Sequence, residues 1–192
     1  MFGEELRPLR ASAHLRPVPA EDVNSPEVVE RMAELSPYLL VVLCGGRPGQ
    51  PLLREVCGLS IRVHEGWCPE YRGTNAVEWA LYHRDIRRIG STVHIIREGP
   101  NRGPILRRAS ACLTAFDTAP SCRARVAALG AAILRDAVEE ILQEDEITVY
   151  DQPAGAGRTS RPADMTEWIR QAIHRDLGKG MLARELQRQR SF

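Results

Sequence analysis

Lysine is almost missing: Lys179 is the only one among 26 basic residues in a chain of 192. A cation set built from arginine suits bidentate phosphate recognition, but genome base composition produces the same bias, and it is read that way here. No charge of one sign dominates, the formal net charge being +1, so no broad field steers the chain toward nucleic acid or an anionic membrane. Apolar runs stay far short of the roughly 18 residues that cross a bilayer. The opening MFGEELRPLR carries acids and no apolar core, so no secretory signal is expected. Cys44, Cys57, Cys68, Cys112 and Cys122 are odd in number and show no CxxC or Cys/His pairing, which speaks against structural zinc and for a reduced, cytosolic protein. The five histidines have no HExxH-like spacing, so no metal is expected.

What is present is ordinary globular material, 43% hydrophobic and 27% charged, and long enough for one domain with extensions. Residues 1–25, rich in proline and polar side chains, read as an arm. Ser25-Pro26 caps a helix that Ser36-Pro37 ends. Tyr38–Cys44 is an unbroken apolar run of the kind buried on both faces of a parallel sheet. Leu59–His64 is a second strand, Thr74–Arg88 a helix and Thr92–Ile96 a third strand. A short helix near Pro104–Arg108 and a strand at Ala109–Phe116 follow. Ser121–Glu144 is the longest helix and Ile147–Tyr150 a fifth strand. The alternation predicts an α/β fold: a three-layer, Rossmann-like sheet of about five parallel strands with helices on both faces, over residues 26–152. Residues 153–161 read as a linker. Residues 162–192 form a helical C-terminal extension, broken near Gly178–Gly180, with an apolar stripe that must cover its own domain or a second copy, making a homo-oligomer one outcome.

Three glycine-bearing turns follow strands, at Val41–Arg47, Val63–Arg84 and Glu98–Arg102, and open α/β folds build ligand crevices at such strand ends. The three are expected to lie side by side and form one pocket. Cys44-Gly45-Gly46-Arg47 is the first turn. The second is Val63-His64-Glu65-Gly66-Trp67-Cys68-Pro69, with Gly73-Thr74-Asn75 and Trp79-Ala80. The third is Gly99-Pro100-Asn101-Arg102, and Leu113-Thr114-Ala115-Phe116 closes a later strand. In this order they resemble the SLOG superfamily, the Rossmann-like group that includes DprA and the LOG phosphoribohydrolases, and within it the small YspA-type proteins of bacteria and phages. The chain departs from that pattern where Asn75 replaces an acid, where Asn101-Arg102 reverses an Arg-Asn order, and where Asp117–Cys122 replaces a glycine-rich turn.

The resemblance implies a cytosolic protein that binds a nucleotide or nucleotide-derived ligand. Gly45, Gly46, Arg47, Gly66, Cys68, Gly73, Thr74, Asn75, Gly99, Asn101 and Arg102 would cradle phosphate and sugar, and Asp117 and Ser121 would complete the rim. Asp117 and Ser121 are equally explained as caps of the long helix, and Cys68 as packing rather than a nucleophile. His64 is expected to point into or across the sheet. Glu65 and Glu98, at neighbouring strand ends, are the acid/base candidates. The enzymatic alternative is an N-glycosidic hydrolase of the LOG type; the helix beginning SCRARVAALG lacks the acid it would need. A third reading is an interaction protein of phage or mobile-element origin. No nucleic-acid partner, membrane partner or certain cofactor is expected.

Overall fold

The computed structural model describes residues 20–43, 46–97, 101–144 and 146–190. Gly45, Glu98 and Gly99, named above as site residues, lie outside the described residues, as does nearly all of the expected arm. The chain divides into two compact units, one from Met1–Tyr38 with Gly45–Gly58 and the other from Leu39–Cys44 with Leu59–Phe192.

The described part of the first unit is two short helices and a turn. Helix α1, Pro26–Leu35, starts where Ser25 in extended conformation accepts from Val28 N and Pro26 supplies a pre-set φ. It ends at Ser36, whose left-handed backbone returns an N–H to the Met32 carbonyl. Helix α2 is Gln50–Arg54. Asn24 ties the turn before α2, donating to the Arg47 carbonyl at 3.0 Å and accepting from Gly49 N at 2.5 Å.

The second unit holds strands β1 (Leu39–Val42), β2 (Leu59–His64), β3 (Tyr71–Gly73), β4 (Gly90–Ile95), β5 (Ile105–Ser110) and β6 (Arg158–Ser160). Its helices are α3 (Ala76–Tyr82), α4 (Ala119–Gln143), α5 (Glu167–Gly178) and α6 (Met181–Arg190). The main sheet runs β1-β2-β4-β5, and β3 and β6 pair separately. The fold is α/β and Rossmann-like, but the sheet is mixed. Only β1 and β2 are parallel; β4 runs antiparallel to both β2 and β5. The expectation of five parallel strands fails at Asn101–Pro104: the stretch expected to open a helix is the end of a hairpin loop, and Ile105–Ser110 returns beside β4. Gly103 makes that return, since a Cβ there would sit 1.6 Å from the Ile95 carbonyl oxygen. The expected fifth strand survives only as a bridge between Tyr150 and Ile105.

Strand alternation sorts the sheet into two unlike faces. Ile61, Val93, Ile95 and Leu106 turn toward Ile133, Leu134, Ala137 and Ile141 of α4. A second apolar cluster joins Val77, Ala80 and Leu81 of α3 to Val126 of α4 and to Ile173, Met181 and Leu182 of the C-terminal helices. Most of the apolar stripe of the C-terminal helices therefore packs on its own chain, Ile173, Met181 and Leu182 above all, while Trp168 stays exposed. The expected linker contains β6, whose Arg158–Ser160 pairs in parallel with Tyr71–Gly73.

Candidate functional site

The face of β2 and β4 that turns away from α4 is polar. In the antiparallel register Arg62 stands opposite His94 and His64 opposite Thr92, so alternation puts all four on one side. His64 is 8% exposed and His94 2%. The His64 Nε2–H donates to the Tyr71 carbonyl at 3.0 Å, which fixes the tautomer and leaves Nδ1 as a lone pair with no partner among the described residues. Burial, reinforced by the positive field of Arg62, lowers the His64 pKa to about 4, against the opposing pull of the Tyr71 hydrogen bond. Burial likewise lowers that of His94. Both rings are thus neutral at physiological pH. His94 Nδ1–H donates to the Ile95 carbonyl at 2.9 Å, and its Nε2 lies 3.3 Å from the Asn101 carboxamide. The facing atom is Asn101 Oδ1; a neutral ring already donating through Nδ1 can only accept at Nε2, so the pair forms a hydrogen bond with the carboxamide in its flipped orientation.

The turn beyond β2 is stapled to this face. Thr92 Oγ1 donates to the Gly66 carbonyl at 2.7 Å and accepts from Cys68 N at 3.1 Å. Gly66 has no room for a side chain, because a Cβ would meet His64 Nε2 at 2.3 Å and the Tyr71 oxygen at 2.8 Å. The Cys68–Pro69 bond is cis. Arg72, 5% exposed, donates to the Gln152 side chain at 2.9 Å and to the Ala156 carbonyl at 2.7 Å. Gln152 in turn donates to the carbonyls of Asn101 and Gly103. The turn carrying Asn101 is thereby tied to β3 and to residues 152–156.

Beside His64 opens a cavity of about 260 Å³ lined by His64, Glu65, Gly73, Asn75, Ala76, Val77, Glu78 and Arg123. Glu78 is 5% exposed and pairs through Oε1 with Arg123. Glu65 stands exposed at the mouth, and partial burial together with the Glu78 carboxylate raises its pKa. Asn75 precedes α3 with φ 55° and makes no side-chain cap; a left-handed backbone is one asparagine tolerates.

Of the residues singled out from sequence, the structure gathers Glu65, Gly73 and Asn75 around this cavity and places Gly66 against its His64. Thr74 N is paired with the Ser160 carbonyl at 3.0 Å. Asn101 meets His94, while Arg102 is exposed. Gly46 and Arg47 belong to the other unit. Cys68 is fully buried and its thiol is pushed up to about 12 by burial, so it stays protonated. Asp117 spends its carboxylate internally, on Thr114 N at 2.6 Å, Ser121 Oγ at 2.7 Å and Arg125 Nε at 2.9 Å. Burial would raise its pKa, but these hydrogen bonds outweigh that and hold it at about 2. Ser121 closes a reciprocal capping box with Thr118 at the start of α4. Arg62, His94, Glu78 and Arg123 were missed from sequence, and His64 was not read as a site residue. The one usable signal was the alternation in Leu59–His64, which sets Ser60, Arg62 and His64 on one face.

The described residues thus form an α/β unit whose mixed, Rossmann-like sheet carries a buried, neutral histidine pair on its polar face. The formyl transferase family model matches residues 8–138, and the chain belongs to that family. A methionyl-tRNA formyltransferase of Legionella pneumophila is 27% identical over 159 residues, 78% of this chain and 49% of the relative; the chain spans about half the length of the curated relatives it matches. A Mycobacterium tuberculosis protein described as a likely sugar N-formyltransferase has TM-score 0.61 at 25% identity, over 79% of this chain and 62% of that one. HypX of Aquifex aeolicus, solved in complex with tetrahydrofolic acid, has TM-score 0.60 at 20% identity, over 77% of this chain and 25% of that one. Membership overturns the SLOG and YspA-like resemblance, and with it the nucleotide-binding, phosphoribohydrolase and mobile-element readings. Strand-end glycine turns and a Cys-Pro step occur in many α/β sheets, and here they sit on a fold shared with formyltransferases of known structure. Among the described residues no helix is long and apolar enough to cross a membrane.

Proposed function

We propose that this protein transfers a formyl group from a reduced folate to an amine, with the His64 face as its reaction centre. The observation that carries this reading is the unpartnered Nδ1 of a nine-tenths-buried, neutral His64, in a chain that belongs to the formyl transferase family. With Nε2 committed to the Tyr71 carbonyl, Nδ1 is the ring nitrogen left to meet a ligand that brings a donor to the cavity His64 lines. The folate would supply an activated formyl carbon. Family membership supports that choice of carrier, as does HypX, a protein of the same fold crystallised with tetrahydrofolic acid.

The chain's own groups divide the work. His64 Nδ1 accepts the proton that the attacking amine loses; its neutral state at physiological pH keeps the lone pair available. Asn101, beside His94, would turn a carboxamide N–H to a carbonyl oxygen as negative charge grows on it, and Arg62 would add positive field from the same face. Arg62, His94 and Asn101 would hold the formyl-bearing end. The Thr92 staple keeps the Gly66–Cys68 turn closed over the sheet and limits water access.

The test is to mix purified protein with formyltetrahydrofolate and a panel of amines and follow release of tetrahydrofolate. Release that depends on both the amine and the protein is expected. In His64→Asn it should fall by about 100-fold or more, while tetrahydrofolate still raises the melting temperature. A protein whose melting temperature ignores tetrahydrofolate, and which releases none with any amine, would sink the reading.

A further inference from the structure

The cavity beside His64 has a composition that selects its ligand. Its charged groups are the Glu65 and Glu78 carboxylates and the Arg123 guanidinium. Arg123 is committed to Glu78 Oε1, and Glu78 Oε2 has no partner among the described residues. The cavity therefore carries a net negative charge when Glu65 is ionised. Its polar lining is completed by Asn75, whose carboxamide makes no cap, and by His64. At about 260 Å³ it lies below the common range of pockets for drug-sized ligands, roughly 300–1,000 Å³, and has no spare cation for a phosphate.

We propose that this cavity takes the formyl acceptor as a small primary ammonium compound, held by the carboxylates of Glu65 and Glu78 with the Asn75 carboxamide, and delivers its nitrogen to His64. The assignment of the bound amine as acceptor rests on the formyl-transfer reading above. In that role the ammonium first loses one proton to Glu65, which passes it to solvent. The free amine forms a bond to the formyl carbon as His64 Nδ1 takes a second proton. The bond from that carbon to the folate nitrogen breaks, and His64 returns its proton to this nitrogen. The products are a formamide, tetrahydrofolate and one proton in solution, so atoms and charge balance. Arg123 is a positioning residue: paired with Oε1, it fixes the Glu78 carboxylate in the cavity lining.

The experiment uses the full chain without folate, ethanolamine as the cationic probe and phosphoethanolamine as its anion-bearing counterpart. Binding is read on the imidazole nitrogen resonances of His64. Ethanolamine should shift them saturably and bind more tightly than phosphoethanolamine. Glu65→Gln should weaken ethanolamine about tenfold by removing one charge-assisted contact, and E65R should reverse the preference. Glu65 is exposed, so both variants fold. Equal affinity for the two probes, or an unchanged ethanolamine affinity in Glu65→Gln, would overturn the proposal. The tetrahydrofolate melting shift is run alongside. If it fails while ethanolamine binds through Glu65, the ammonium site stands and the formyl-transfer reading alone falls. If it succeeds while ethanolamine does not bind, the site is refuted and the reading survives.

Discussion

His64 links the stability of this protein to pH in a direction that can be worked out. Its pKa in the folded chain is about 4, below the ordinary 6.5, so between those values the unfolded chain binds the extra proton and the folded one does not. Stability contributed by the neutral ring is complete above pH 6.5 and drains away as pH falls toward 4. At about 1.4 kcal/mol per unit, the loss over that window is on the order of 3 kcal/mol, with His94 adding in the same direction. Urea titrations at stepped pH should show this fall, and His64→Asn should remove most of it; a profile identical in the variant would show that the ring titrates elsewhere. A second expectation concerns Gly66. Gly66→Ala forces a methyl against His64 Nε2 and the Tyr71 carbonyl, so it should cost about 1–3 kcal/mol by overpacking and depress formyl transfer by tilting the ring. Gly66 was readable as part of a glycine-bearing turn after a strand, where it was expected to cradle a ligand, and nothing in the sequence singled out Tyr71. The role of His64 was not readable, because a histidine ending a strand has no visible partner until the backbone carbonyl of residue 71 folds back on it.

Strand direction is where the sequence reading failed: parallel strands were expected, and β4 runs antiparallel to both its neighbours. Leu59–His64 coincides with its expected bounds, and the helix caps at Ser25 and Thr118 follow from local chemistry that needs no tertiary partner. A short strand-forming stretch such as Thr92–Ile96 reads the same way whether its neighbours run parallel or antiparallel. The polar alternation of β2 was visible, but it acquires meaning only once the antiparallel register sets Arg62 against His94. Arg158–Ser160 carries no apolar signal at all, so its pairing with β3 rests on backbone hydrogen bonds and on Arg72. That dependence is testable. Arg72→Ala strips the Ala156 carbonyl and the Gln152 side chain of their donor in a buried place, and should cost about 3 kcal/mol. Hydrogen exchange would localise the loss to Arg158–Ser160 and, through Gln152, to the Asn101 turn. Uniform exchange across the sheet would instead mean that Arg72 serves only general stability.

The C-terminal helices connect global stability to the site. Met181 and Leu182 are each 1% exposed and share a cluster with Val77, Ala80 and Leu81 of α3, the helix whose Ala76, Val77 and Glu78 line the cavity. Arg84, just beyond α3, is paired with Asp176 of α5 at 2.8 Å, but half-exposed pairs of this kind contribute little; the apolar contacts dominate. Burying two such side chains is worth about 3–6 kcal/mol, a large part of the 5–15 kcal/mol that holds a typical domain together. A chain ending after Lys179 should therefore lose most of its cooperative melting transition. The milder Leu182→Ala should cost about 2–5 kcal/mol through the cavity it leaves, with native secondary structure retained. Because α3 is the shared wall, Leu182→Ala should also loosen Glu78, seen as weaker ethanolamine binding with tetrahydrofolate binding unchanged, since the His94–Asn101 end is braced by Arg72 and Gln152 instead. Equal losses of both ligands would mean that the sheet face and the cavity respond as one body, and a variant that melts like the parent would remove the tail from the account of stability altogether.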